Sequence, residues 1–409
     1  MILPVNLEIA KTHVVKGFQQ TIVSAFGVAL GVAIYLFMNS LDSGFSDFSR
    51  KNIFKSSAHL KIFKDDVISK PLQKDTKELN VIVNPQVTTL SKRLNNPELL
   101  LQQIKSESYI TNAIAQIDFP VFYNRGKTQI EGSGIGADMQ EYNGMFNTEE
   151  LMVAGNLQDL QSNINSVIIG SGIAEKLSLN LGDNITMSSS YGITKTLKIV
   201  GIFTYGNKQI DNKRSYVNVS TAQQFLKEGS TYVNTIYANT NNPDNTDYYA
   251  NKLQQITEYS IEDWKATNED IVSQDTTRAT MMDSISLSVL VLAGFIIFNI
   301  LSATISQKIN DIAILKATGF SNKNVIIIFI TEALIMGVIG TVIGLLIGTL
   351  LIFILSKVYM GGPVGYFPIT YELDLYVMSF ILGLLMTFLA GYLPSRKASR
   401  VDPVEIFRK

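Results

Sequence analysis

Along the chain, long stretches without a charged residue alternate with one long polar stretch. A helix needs about 20 apolar residues to cross a hydrocarbon core of about 30 Å. Four runs qualify: Thr21 to Leu41 and Ser284 to Gln307 carry no charge, Val325 to Ser356 carries only Glu332, and Leu375 to Leu393 is apolar throughout. Four runs of this length and purity predict spanning helices rather than buried helices of a soluble protein. The first run is longer than the apolar region of a secretory signal. It is followed by Asp-Ser-Gly-Phe-Ser rather than a small-residue cleavage site, which predicts an uncleaved anchor.

Lys and Arg in the short flanking segments predict the orientation. The N-terminal arm holds Lys11 and Lys16, the connection between runs two and three holds Lys308, Lys316 and Lys323, and the tail holds Arg396, Lys397, Arg400, Arg408 and Lys409. The connection between runs three and four has only Lys357 against Glu372 and Asp374. Both termini are therefore expected in the cytoplasm and residues 42–283 outside. The expected division is a cytoplasmic arm (1–20), helix 1 (21–41), an extracytoplasmic domain (42–283), helix 2 (284–307), a cytoplasmic connection (308–324), helix 3 (325–356), an outer loop (357–374), helix 4 (375–393) and a cytoplasmic tail (394–409).

The polar stretch is long enough for one elaborate domain or two lobes. Short β-rich runs alternate with helical ones, which predicts an α+β fold. Strands are expected at Ala58–Phe63, Val81–Val83, Phe119–Tyr123, Thr128–Glu131, Ser166–Ile169, Ile185–Met187, Thr196–Phe203 and Ser215–Val219. Helices are expected at Leu90–Ser106, Ser171–Leu177, Ser220–Lys227 and Asp244–Thr257. Gly182-Asp183 marks a tight turn between the helix ending at Leu177 and the strand starting at Ile185. The expected fold class is a membrane all-α part of four transmembrane helices plus a large α+β extracytoplasmic domain inserted between helices 1 and 2.

Composition narrows the chemistry. The net charge of -1 gives no reason to expect a nucleic-acid partner. With no cysteine in the sequence there is no disulfide, thiolate nucleophile or lipidated cysteine. The two histidines, His13 and His59, stand apart in sequence and are most simply satisfied surface residues, so no metal or triad site is expected. Isolated acids such as Asp138 and Glu141 are expected to be solvated. No catalytic or metal site is predicted, and the domain reads as one that binds or transmits movement.

Between runs two and three, Ile309, Ile312, Ala313 and Lys316 recur at helical spacing, Ile314 and Leu315 add apolar bulk, and Gly319 ends the helix. Periodicity leaves two readings open: a membrane-surface stub, or a helix that docks in a groove on a cytoplasmic partner. In run three, Gly337, Gly340, Gly344 and Gly348 clear one helix face for close approach, within this chain by default or between two copies otherwise. Glu332 sits about eight residues into this run, and no second ionisable residue within the apolar runs is available to pair with it.

Taken in order, these segments resemble the MacB/FtsX-type permeases of ABC transporters, most closely the transmembrane subunits of the lipoprotein-releasing system (the LolC/LolE family). The resemblance runs over the whole chain and rests on MNSLDSGF (Met38–Phe45), IIGSGIAEKLSLNLGDNI (Ile168–Ile185), FNILSATISQKINDIAILKATGFS (Phe298–Ser321), FITEALIMGVIG (Phe329–Gly340) and YLPSRKASRVDPVEIFRK (Tyr392–Lys409). It implies a MacB-like periplasmic domain at 42–283 in a protein of the bacterial inner membrane. It also implies a coupling helix with Asp311, Ile312, Ala313, Leu315, Lys316 and Gly319 facing a cytoplasmic ABC ATPase dimer. Asp311 stands where relatives often have Glu. This sequence has no G-x-x-x-x-G-K-[ST] loop, so no cofactor is expected on it, and ATP and Mg belong to the partner.

Two permeases, the second being the same or a homologous chain, are implied for each assembly. Acyl-chain contacts are implied at Phe37, Met38, Leu41 and Phe45, facing Met281, Met282, Ile285 and Val289. Met and Phe suit irregular apolar cargo; simple lipid-facing or packing roles are the alternative for each position. Family members that recruit a periplasmic carrier have a hook inserted between the strands matching Ile185–Met187 and Leu197–Phe203. Here Ser188 to Thr196 is long enough only for a hairpin, so a periplasmic carrier or adaptor is not expected to dock through that device: the chain is the hookless member of an unequal pair, or its cargo is something else. The implied function is a non-enzymatic permease subunit releasing lipoproteins by mechanotransmission. An export permease for small amphiphiles, peptides or glycolipids is the alternative, and a scaffold activating a cell-wall hydrolase ranks third.

Overall fold

The computed structural model describes residues 2–66, 91–361 and 365–407. The strand expected at Val81–Val83 lies outside the described residues, as do Leu90, Arg408 and Lys409. The helices are α1 (Ile2–Lys16), α2 (Phe18–Phe54), α3 (Pro97–Lys105), α4 (Met139–Phe146), α5 (Gln158–Ser162), α6 (Ser171–Leu177), α7 (Lys208–Asp211), α8 (Val219–Leu226), α9 (Thr246–Leu253), α10 (Trp264–Thr267), α11 (Glu269–Gln307), α12 (Ile309–Ala317), α13 (Asn322–Ser356), α14 (Leu373–Ser399) and α15 (Pro403–Phe407). Two compact units form: Met1–Ser49 with Ser273–Lys409, and Arg50–Val272.

Among the described residues, four helices are long and apolar enough to cross a membrane, and their apolar parts lie in the first unit: α2, α11, α13 and α14. Hydropathy stops at the first charge, whereas a helix stops where its backbone ladder ends, so α2 and α11 outrun the apolar runs that predicted them. Polar pairs join them beyond the apolar part: Ser49 donates to Asp275 at 3.2 Å, and Arg278 bridges Asp42 and Asp275, both at 3.2 Å. Within the apolar part, Val28 and Val32 of α2 pack with Leu290, Ile297 and Leu301 of α11 and with Ala333 and Met336 of α13.

The second unit is a mixed sheet of ten strands in the order β10-β1-β9-β2-β3-β8-β5-β7-β4, with β6 joining β2 to β7. The strands are β1 (Leu60–Phe63), β2 (Ile110–Arg125), β3 (Thr128–Ala137), β4 (Met152–Gly155), β5 (Ser166–Gly170), β6 (Asn184–Ser189), β7 (Thr194–Phe203), β8 (Arg214–Val217), β9 (Thr235–Thr240) and β10 (Ser260–Asp263). The 16 residues of β2 explain the architecture. Its first half pairs with β9, while its second half pairs with β3 on one side and β6 on the other. Pairing then runs β3–β8–β5–β7–β6 and returns to β2, so six strands close into a ring.

Strand alternation fills this ring. Ile117, Phe119, Val121 and Tyr123 of β2 share one face and meet Val167, Ile169, Ile185, Met187, Leu197 and Ile199 inside. Ile168 and Tyr216 point to the opposite face, where α4 and α5 cover them. A third cluster, around β1, β9, α3 and α9, makes the other lobe. The Tyr123 hydroxyl is buried with a full set of partners, at 2.9 Å to the Lys213 carbonyl and 2.8 Å to Ser215 Oγ. Tyr123→Phe removes both contacts, leaving the Lys213 carbonyl only its bond from the Ser133 N–H at 2.8 Å, and is expected to cost about 1–2 kcal/mol, seen as a lower melting temperature of the whole chain with unchanged secondary structure.

Several expected elements change extent. The helix expected from Leu90 begins only at Pro97, because proline disfavours helical backbone in the residue before it and Asn96 takes φ 46°. The helix expected over Asp244–Thr257 is a short 3₁₀ turn followed by α9. Strands β4, β9 and β10 escaped prediction because all three are short, and β9 and β10 are also broken by polar residues. Asp138 caps α4, accepting from the backbone N–H of Gln140 at 2.8 Å, and Glu141 pairs with Lys105 at 3.6 Å. His59 is not a surface residue: its Nδ1 accepts from the Thr240 N–H at 2.9 Å and its ring packs on Phe54. Burial pushes its pKa below the ordinary value. The Ser188–Thr196 connection is a hairpin, with Gly192 at φ +77° in the turn.

Candidate functional site

The segment expected to couple to a partner is helix α12, ended by Gly319 at φ +101°. The Phe320 N–H returns to the Leu315 carbonyl at 3.1 Å and the Gly319 N–H to the Lys316 carbonyl at 3.1 Å, the two bonds of a Schellman motif. One face is turned into the chain: Ile312 is 1% exposed and Ala313 is buried, and Ile312 packs with Ile305, Val325, Phe329 and Ala398. Lys316 donates to the Ser399 and Val401 carbonyls at 3.0 and 2.6 Å, holding the tail to the helix end. The opposite face carries Asn310, Asp311, Ile314, Ala317 and Thr318 in the open. These positions recur three to four residues apart, so they form one stripe.

Exposure divides the expected docking set. Asp311 is on the open face, but Ile312 and Ala313 face inward, and Leu315 and Lys316 are half-buried. Ile314, 51% exposed, is the large apolar side chain this face presents. Sequence periodicity gave no means of choosing between the two faces, because both carry an isoleucine.

Glu332 is 3% exposed and does have partners, supplied from outside the apolar runs. His13 Nδ1 lies 3.0 Å from one carboxylate oxygen and Lys308 Nζ 3.5 Å from the other. His13 is therefore satisfied, but half-buried against Glu332 rather than on the surface. Near the start of α2, Gln20 contacts Gln307 at 2.7 Å and Thr304 at 3.1 Å, both near the end of α11.

The glycine stripe faces α2 of the same chain. A methyl placed at Gly340 would stand 2.5 Å from the Ala25 carbonyl oxygen, and one at Gly344 2.6 Å from that of Ala29. At Gly348 the nearest atoms are Leu36 Cδ2 at 3.0 Å and the Ala33 carbonyl oxygen at 3.2 Å. Gly337 faces Thr387 of α14 instead.

Where α2 leaves its apolar run and α11 enters its own, the seam between the helices is polar: Asn39 reaches Ser286 at 3.4 Å, and Arg278 bridges to Asp42. The eight residues expected to meet acyl chains flank this seam. Phe37, Met38, Leu41, Phe45, Met282 and Val289 are half-buried, Met281 is 59% exposed, and Ile285 is also exposed. At about 100° per residue, Met282 and Val289 fall near the seam whereas Met281 and Ile285 turn away from it. Phe45 is held by Arg278, whose guanidinium lies 5.4 Å from the ring centroid, and by Phe367 at 5.7 Å. Sequence reasoning missed Arg278 and Asp42 at this mouth, because a charge at a span end reads as a plain boundary.

The MacB-like periplasmic core domain matches residues 21–256, and the FtsX-like permease C-terminal region matches residues 284–403. The chain is similar to the lipoprotein-releasing system transmembrane protein LolC of Haemophilus influenzae, 23% identical over 403 residues that cover 95% of this chain and 93% of the relative. It is also similar to the macrolide export ATP-binding/permease protein MacB of Wolinella succinogenes, 31% identical over 151 residues, 35% of this chain and 22% of that protein. Among solved structures, the periplasmic region of MacB from Actinobacillus actinomycetemcomitans aligns with a TM-score of 0.34 at 14% identity, over 54% of this chain and 94% of that one. With a MacB-like core matching over half of its length and an FtsX-like region matching the part that carries the last three apolar helices, the chain belongs to the MacB/FtsX family of ABC-transporter permeases.

Proposed function

We propose that this chain is the membrane subunit of a transporter that releases lipoproteins from the bacterial inner membrane, driven by a separate cytoplasmic ABC ATPase. The observation that carries this reading is the end-to-end similarity to LolC, in spans and inserted domain alike. Both termini and α12 lie in the cytoplasm, and the inserted domain lies in the periplasm. The ATPase dimer, holding ATP and Mg, docks on the open face of α12, with Asp311 and Ile314 toward it. Its closure moves a pair of permeases, and α2 and α11 carry that movement outward. Acyl chains meet the apolar flanks of the seam between these helices, from Phe37 to Phe45 and from Met281 to Val289. Burial of an acyl chain is worth about 0.8 kcal/mol per CH₂, so extraction needs both an apolar receiving surface and external energy.

The short β6–β7 hairpin supports a chain that does not hook a periplasmic carrier by itself. The local similarity to MacB supports a second reading, export of small amphiphiles, peptides or glycolipids. Depletion separates the two. Under the first reading, outer-membrane lipoproteins accumulate in the inner-membrane fraction of a sucrose gradient within a few generations. Normal lipoprotein sorting, together with sensitivity to an amphiphile, transfers the assignment to export.

A further inference from the structure

Glu332 sits where a carboxylate is costly. At the bilayer centre the penalty is about 2.5–3.5 kcal/mol, less toward the interface, and such residues persist when paired and used. Its partners come from two other elements. Lys308 is the residue from which α12 starts, its carbonyl accepting from the Ile312 N–H at 3.0 Å. His13 belongs to α1, and because a carboxylate can only accept, its Nδ1–H donates to Glu332 at 3.0 Å. Val325, Phe329 and Glu332 share one face of α13, four and three residues apart. Along that face Val325 and Phe329 pack on Ile312, the inward residue of α12, and Phe329 also meets the His13 ring at 5.9 Å between centroids.

We propose that Glu332 is a positioning residue for energy coupling: its carboxylate, bonded to Lys308 and His13, locks the root of α12 and helix α1 to the membrane helix α13. Apolar contacts alone are non-directional and let packed helices slide. A buried ion pair fixes register, because displacing either partner leaves a charge unpaired in a poorly solvated place. A push on the open face of α12 then moves α13 instead of bending the short connection at Lys308. This rests on the proposed docking of an ATPase on α12, so its test includes one arm that needs no partner.

In the first arm, nitroxide labels are placed at Lys11→Cys and Asn310→Cys in the full chain in nanodiscs; both sites are exposed, and the sequence has no other cysteine. Pulsed electron-spin distance measurement is expected to show one narrow population in the otherwise native chain and a distinctly broadened one in Glu332→Gln. Glu332→Asp, which keeps the charge with a shorter reach, should recover much of the narrowness. In the second arm, with the ATPase reconstituted, Glu332→Gln should lower permease-stimulated ATP turnover on the order of tenfold, within the usual span of coupling between sites. If Glu332→Gln does not fold, Lys308→Met and His13→Gln serve, each broadening the population. Where it folds, Lys308→Met added to Glu332→Gln should change nothing further, since the two remove one interaction. Native distance widths, or fully additive effects, overturn the proposal. If Ile314→Asp leaves turnover unchanged, the docking reading fails, while the label distances still judge the lock.

Discussion

An Ile314→Asp chain is expected to assemble normally and to lose stimulation of its ATPase almost completely. Ile314 is the large apolar residue of the open face of α12, flanked by Asn310, Asp311, Ala317 and Thr318. A helix that docks in a groove reads out through such an anchor. Burying an isoleucine contributes about 1.5–3 kcal/mol, and an aspartate in its place also brings a carboxylate into the groove. Together these weaken docking on the order of 100-fold or more. Exposed positions seldom change folding stability by more than about 0.5 kcal/mol, so melting temperature and expression should hold.

The neighbouring Ile312→Asp behaves in the opposite way. It places a carboxylate among Ile305, Val325, Phe329 and Ala398, and the loss appears first as instability of the chain itself. Measuring ATP turnover and thermal unfolding on both variants separates docking from folding. Native stimulation by Ile314→Asp removes α12 as the docking element.

Gly344→Leu is expected to be among the most damaging single changes in the membrane part. Its Cβ would sit 2.6 Å from the Ala29 carbonyl oxygen and 3.0 Å from Ala29 Cα, atoms of the facing backbone that no rotamer can move. Overpacking costs typically 1–3 kcal/mol. Here relief requires the two helices to separate along the stripe, so a cost of about 3 kcal/mol or more is expected. The readout is loss of the monodisperse peak in size-exclusion chromatography and a melting temperature lowered by several degrees. Gly348→Ala, with neighbours at 3.0 and 3.2 Å, should be much milder. A Gly344→Leu chain of native stability would detach the stripe from α2 and leave it to a contact between copies.

Much of the fold was legible because the solvent imposes it. A stretch such as Val325 to Ser356 has no stable place other than a bilayer or a large apolar core, and that holds without any knowledge of neighbours. The turn at Gly182, the end of α12 at Gly319 and the β6–β7 hairpin were legible for a related reason: each depends on backbone geometry within a few residues. The helix at Ser171–Leu177 was placed at its observed bounds, as a short apolar segment between a strand and a turn.

What escaped was whatever depends on partners far away in sequence. Closure of six strands into a ring follows from β2 pairing on both edges, and nothing within its own residues announces that. Periodicity placed Ile312 and Ile314 on a helix, but only the packing of Val325, Phe329 and Ala398 decided which of them turns inward. Glu332 lacked a partner within the apolar runs until α1 and the root of α12 came beside it, from 319 and 24 positions away. Hydropathy and backbone stereochemistry are local properties, so the sequence by itself determined the spans, the inserted α+β domain and the turns. Facing and pairing are properties of two surfaces at once, so only the tertiary structure decided which side of α12 is open and what neutralises the buried carboxylate.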